Sequence, residues 1–420
     1  MKIKEELLHF IWQYKLFHTH SLYSTDGERI DILDFGRYNY DAGPDFSMAK
    51  IKINQTILVG NIEIHVYASD YIKHKHTTDA RYKNIILHVV YEEDKTLTNI
   101  EFPTIELKHY LDEKTLEKYV YLMDTLSVVP CQQLYTSIDP IRFRLFAQKL
   151  CFERLEKKVL EVAALHTQCK GDWNKTAIIS LSAYLGQNVN KEAFMRLLMS
   201  FDLRIISKYC KNKTKTEALL MGQSALLQSA YIAKRKHPYI EQLKKEYQHL
   251  QALNELETIQ AIEWKFAKMR PVAFPTVRIS QLAHLLFLYP NFFDEIILAF
   301  DIKNIYKQLD VQCHELWSPS QQEPITLGKS TIDIIIINAI VPLMFYYGQA
   351  SGNEYYMDRA LHILESLKAE ENKITRLYES IGFRIETALE SQAVLTLKNQ
   401  YCEPKKCLNC AIGLEILRNN

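Results

Sequence analysis

Leu7, Leu8, Ile11, Trp12 and Leu16 recur at helical spacing in the opening stretch MKIKEELLHFIWQYKLF, which predicts an amphipathic helix. From residue 21 to about 111 the pattern changes to short runs: SLYSTDGERIDILDFG, SMAKIKI, TILVGNIEIHVY, NIILHVVY and FPTIELKHYL. Their alternation of apolar and polar positions predicts strands. A polar segment, ASDYIKHKHTTDARYK, separates the third run from the fourth, and DEKTLEKYVYLM reads as a helix. Helix, strands and helix describe a mixed α/β unit over 1–130.

Helical periodicity then takes over. DPIRFRLFAQKLCFERLEKKVLEVAAL is a long helix that Asp139 caps and Pro140 opens. Similar runs continue to YYMDRALHILESLKAEE, which places one helical domain at 131–398 and a cysteine-containing tail at 399–420. The expected fold class is therefore α+β. One irregular passage, WKFAKMRPVAFPTVRISQLAHLL, reads as a structured loop entering a helix. The apolar run from Ile334 to Tyr347 contains Asn338 and Pro342 and is short for a membrane span, so a buried helix is expected.

Charge adds little direction. With 51 basic and 50 acidic side chains, no global field points to nucleic acid or membrane, and any such partner needs a local patch. Glu5, Glu6 and His9 occupy the place of an export signal's apolar core. A cytoplasmic protein with no membrane partner is expected. The motifs of P-loop, dinucleotide and Gly-X-Ser-X-Gly chemistry are missing from the sequence.

The candidate chemistry lies in the strands. Gly43-Pro44-Asp45 forms a tight turn before one strand, and Glu63-Ile64-His65 lies on the next. Alternate strand residues share a face, so Glu63 and His65 point the same way. Asp45 and Glu63, with the Ile64 carbonyl, make half of an oxygen shell for a divalent cation. This pattern resembles the PD-(D/E)XK nuclease superfamily, in which Pro-Asp precedes a strand bearing Glu-X-Lys. The resemblance implies a restriction-endonuclease-like fold in the first third and catalytic roles for Asp45, Glu63 and His65. It further implies Mg or Mn on Asp45 and Glu63, completion of the site by Glu5 or Glu6, and hydrolysis of nucleic-acid phosphodiesters. His65 stands where the superfamily has lysine. Across its length the chain is also similar to a bacterial family of unknown function, through GRYNYDAGPDF, GNIEIHVYASDYIKHKHTTDARYKNIILHVVY, MRPVAFPTVRISQLA and YCEPKKCLNCAIG.

Three further groups carry possible chemistry. Asp70, His74, His76, Asp79 and His88 crowd around the Glu-X-His strand and read as a second metal or proton-handling pocket. Cys402, Cys407 and Cys410 have Cys-X4-Cys-X2-Cys spacing, and Cys131 is the expected fourth ligand of an iron–sulfur cluster or zinc. One early cysteine with three late ones is similar to the iron–sulfur nucleases. Basic residues at 208–216, 233–239 and around the proline-rich loop, notably Lys268, Arg270 and Arg278, are the candidate nucleic-acid contacts, with Trp264, Phe266 and Phe274 available for stacking. The function expected is a metal-dependent nuclease. The alternatives are a catalytically inactive nuclease-fold binding protein and a histidine-cluster metal hydrolase of another substrate.

Overall fold

In the computed structural model, helix α1 (Glu5–Tyr14) buries Leu7, Leu8, Phe10, Ile11 and Trp12 and packs on the sheet. Full burial of one such side chain contributes roughly 1.5–3 kcal/mol, so this stripe fixes the helix in place. Trp12 Nε1 donates to the Phe35 carbonyl at 3.0 Å, which satisfies the polar end of a buried ring. Glu5 and His9, four residues apart, share the helix's other flank. The structure describes residues 3–74, 76, 79–98, 100–136, 139–209, 212–260, 264–267, 269–320 and 322–418.

The chain divides into two compact units, Met1–Phe146 with Leu397–Asn420, and Ala147–Thr396. Residues 131–146 and the tail thus group with the sheet, whereas the sequence boundaries put 131–398 in the helical domain and set the tail apart.

The first unit contains β1 (Leu22–Tyr23), β2 (Arg29–Asp34), β3 (Arg37–Tyr38), β4 (Phe46–Ile53), β5 (Thr56–Tyr67), β6 (Ile85–Glu92) and β7 (Thr104–Glu106). Sheet order is β1-β2-β4-β5-β6-β7, with β3 beside β4. Pairing is antiparallel up to β5 and parallel from β5 through β7. β5 occupies the full run TILVGNIEIHVY. Its first half makes a hairpin with β4 and leaves Ile57 and Val59 half exposed. Its second half lies between β4 and β6, and Ile62, Glu63, Ile64 and His65 are all buried there. A short helix, α2 (Asp70–Lys73), follows β5. Helix α3 (Glu113–Asp124), capped by Asp112 through the Lys114 N–H, follows β7.

The second unit is helical. Its apolar helix runs from Lys329 to Ser351, longer than the sequence suggests, and among the described residues it alone is long and apolar enough to cross a membrane. Two-thirds of its most apolar window is buried inside the protein. Pro342 has no N–H to donate, and a wide turn at Ile336–Ile340 precedes it, so the helix continues where a regular ladder would break.

Glu217, in the same unit, is wholly buried and accepts from Trp317 Nε1 at 2.5 Å. Burial pushes its carboxyl above the usual range, although Trp317, Ser280 and Tyr239 partly offset this by hydrogen bonding. A folded pKa above the unfolded value contributes stability below the unfolded pKa that is lost as pH rises. Glu217→Gln is therefore expected to flatten the fall in melting temperature above pH 5, whereas Glu217→Ala, which strands the Trp317 indole, should lower it at every pH. Melting curves from pH 5 to 9 check both.

Candidate metal centre

Asp45 ends a turn that Asn39 holds by donating from Nδ2 to the Pro44 carbonyl at 3.0 Å. Gly43 there has φ +132°, a conformation that side-chain-bearing residues rarely adopt. Two reciprocal bonds lock the turn to β5. Asp45 Oδ2 accepts the Ile64 N–H at 2.8 Å, and Glu63 Oε2 accepts the Asp45 N–H at 3.3 Å. Phe46 opposite Ile62 sets this register.

Glu63 has a different neighbour at each oxygen. While Oε2 faces Asp45, Oε1 lies 3.2 Å from His76 Nε2 and 3.6 Å from His65 Nε2. The ligating nitrogens of His65, His74 and His76 all lie within 4.8 Å of one another. His65 is buried, His76 partly so, and His74 exposed, so the group opens to solvent on one side. On the Asp45 side, buried His9 Nε2 comes within 3.3 Å of Asp45 Oδ2 without forming a well-directed hydrogen bond.

A second layer orients the imidazoles. His88 pairs with Glu63 in the parallel β5–β6 register, and its Nε2 lies 2.9 Å from His65 Nδ1. If His65 Nδ1 carries the proton in that bond, Nε2 keeps its lone pair facing Glu63 and the other imidazoles. Tyr82 stacks on His76 with ring centroids 3.9 Å apart, and Tyr71 packs edge-on against both His65 and His76.

Electrostatics match this geometry. Burial and the Asp45 charge push Glu63 up to about 9. Burial and the neighbouring imidazoles push His65 down to about 2. Burial lowers His88 to about 3 and also lowers His76. Burial raises Glu5, against the opposing pull of His9. Two acids that cannot comfortably ionise together, beside neutral imidazoles, form a donor set that a cation would satisfy.

The structure thus brings together Asp45, Glu63, His65, His74, His76 and His88, with Glu5 close enough for its charge to couple to His9, Asp45 and His74. Asp70 and Asp79 stand at the edge of this group, where their charges act on Glu5, His88 and His76 while their oxygens are bonded elsewhere. Asp70 holds Lys73 at 2.7 Å and accepts the Tyr67 N–H, and Asp79 pairs with Arg81 at 2.5 Å. His9, Tyr71 and Tyr82 were missed in the sequence. For His9 the available signal was its position four residues after Glu5 on one helix.

Among the nucleic-acid candidates, Arg270 is exposed and Lys268 lies outside the described residues. Arg278 corrects the sequence reading. It is only 5% exposed and donates to Gln281 Oε1 at 2.9 Å and Thr331 Oγ1 at 3.4 Å, so it presents no surface to a phosphate. Trp264 is likewise buried, bonded to the Ser224 carbonyl at 2.9 Å, and Phe266 stacks on Tyr231.

Sheet and site together describe a mixed α/β unit with a histidine cluster that could hold a metal ion, beside the Glu63 carboxylate. A family model described as "Protein of unknown function (DUF2851)" matches residues 5–373, and the chain belongs to that family. Neither curated proteins nor solved structures give a match.

Proposed function

We propose that the first unit is a metal-dependent hydrolase whose metal is held by Glu63, His65 and His76, with His74 and Asp45 beside them. The observation that carries this is the meeting of three imidazoles, two of them against a buried carboxylate that is itself coupled to a second acid. The donors bear on the choice of ion. Magnesium favours oxygen ligands and dehydrates reluctantly, whereas imidazole suits zinc and related transition metals. Of the ions expected from sequence, manganese fits this mixed set better than magnesium, and zinc fits the imidazoles. When bound, the ion supplies Lewis acidity toward a substrate oxygen and toward water.

The chain's own groups have separate tasks. His88 holds the His65 ring, Tyr82 holds His76, and exposed His74 marks the side from which substrate and water arrive. His9, beside Asp45, is a candidate proton carrier, because Asp45 raises its pKa against the opposing effect of burial. For substrate we propose phosphodiesters of nucleic acid. This rests on the resemblance of Pro44-Asp45 and Glu63-Ile64-His65 to the PD-(D/E)XK pattern, in a helix-then-strands setting. A restriction-endonuclease-like fold for the unit is part of the same proposal.

The test is cleavage of labelled DNA and RNA by metal-stripped protein supplied in turn with Mn2+, Zn2+ and Mg2+. Asp45→Ala and His76→Ala are expected to lose about 100-fold or more of the activity. Cleavage that survives both substitutions would sink the proposal. Binding of nucleic acid without cleavage under any metal would leave a binding protein on this fold.

A further inference from the structure

Four cysteines from distant parts of the chain meet in the first unit, well away in sequence from the histidine cluster. Cys131, Cys402, Cys407 and Cys410 line a single cavity with Pro130, Tyr401 and Gly413. All four are buried. Buried cysteine is often mere packing. Packing alone does not explain four sulfurs turned into one space, because the tail has other anchors. Lys405 Nζ donates to the Met123 and Thr125 carbonyls at the end of α3, Lys118 Nζ donates to the Ile416 carbonyl at 3.3 Å, and Arg142 pairs with Glu415 at 2.5 Å.

One detail of the backbone points to a bound group. The backbone N–H groups of Ile412 and Gly413 are directed at Cys410 Sγ, an arrangement that favours thiolate over thiol.

Spacing separates the candidate occupants. A tetrahedral zinc site with Zn–S bonds of about 2.3 Å brings each pair of sulfurs to about 3.8 Å. Among the described residues, however, the one set of three or more ligands whose donor atoms all lie within 4.8 Å is His65, His74 and His76. No three of the four sulfurs meet that distance, although all four line the cavity. A multi-iron cluster, which interposes inorganic sulfide between the thiolates, fits the wider spread.

We infer that Cys131, Cys402, Cys407 and Cys410 bind an iron–sulfur cluster of the four-iron type, which clamps the tail onto the segment after α3. The site is independent of the proposed hydrolase chemistry. Four thiols give up their protons, and ferrous iron and sulfide enter from solution, with an external oxidant of the disulfide or dioxygen class taking the electrons that set the cluster's charge.

Full-length protein is purified anaerobically, reconstituted with ferrous iron and sulfide, desalted, and analysed for iron, zinc, sulfide and visible absorption. The expected result is about four irons and four sulfides per chain with a broad band near 400 nm. Cys407→Ser and Cys131→Ser should each lose most of that band, whereas Cys151→Ser, in the other unit, should keep it. Circular dichroism of each variant separates loss of ligand from loss of fold. One zinc per chain with no sulfide would overturn the cluster, as would a wild-type protein that takes up no metal. Metal retained in Cys131→Ser and Cys407→Ser alike would overturn the ligand set.

Discussion

Glu63→Gln should make the metal-free protein more stable at neutral pH while removing its response to metal. In the metal-free fold the Glu63 carboxyl is held near pH 9, because it is buried beside Asp45. A folded pKa raised above the unfolded value of 4.5 contributes stability below pH 4.5, which is lost progressively as pH rises toward 9. Between pH 4.5 and 7 the loss is roughly 3 kcal/mol at 1.4 kcal/mol per unit, or roughly 6–12 °C in a unit of this size. Glutamine carries no such penalty, so the variant's melting temperature should stay level over that range. A cation reverses the balance in the wild type, because it binds the ionised carboxylate and neutral imidazoles together. Zinc or manganese should therefore raise the wild-type melting temperature most at pH 7–9 and leave Glu63→Gln unmoved. Parallel melts with and without chelator, from pH 5 to 9, decide the matter. Identical pH profiles for the two proteins would show that Glu63 is not the strained group described above.

The second large effect belongs to the helical unit. Gly222 lies on the buried helix Lys213–Gln223, facing Tyr247 on the helix Pro238–Asn254. A Cβ at 222 would sit 2.0 Å from the Tyr247 ring, deep inside van der Waals contact. The ring has little freedom to retreat, since Tyr247 is 1% exposed and its hydroxyl donates to Gln223 Oε1 at 2.9 Å. Alanine in place of glycine within a helix would otherwise gain about 1 kcal/mol. The clash outweighs it. Gly222→Ala is expected to cost roughly 2–4 kcal/mol net, seen as an earlier unfolding transition of the second unit in denaturant. Tyr247→Leu on that background should recover part of the loss. A neutral Gly222→Ala would mean that the two helices separate more readily than their packing implies.

Much of the first unit could be read from its sequence because local pattern and tertiary role agree there. TILVGNIEIHVY alternates, and it becomes one unbroken strand with Glu63 and His65 on one face. The meeting of Cys131 with the tail was likewise legible, since thiol chemistry narrows the choice of partners. Other features depend on neighbours that spacing does not reveal. That Glu63 faces Asp45 with one oxygen and His76 with the other follows from how the β4 turn and the segment after α2 close over β5. Arg278 has the charge of a surface residue, but its partners are Gln281 and Thr331. The helix around Pro342 reads as shorter than it is, because the wide turn that accommodates the proline leaves no mark in the hydrophobic period.

The first unit is assembled from both ends of the chain, with the 250 residues of Ala147–Thr396 inserted between its parts. On the ribosome this imposes an order. The sheet emerges well before residues 397–420 that group with it, while the inserted helices form a unit of their own in between. Closing so long an interval is an entropic cost that grows only slowly with length and becomes small once the insert is compact. During synthesis α3 and the segment after it therefore expose the surface that the tail later covers, including the Cys131 side of the cavity, and a chaperone or assembly factor acting on this protein would have to act within that interval.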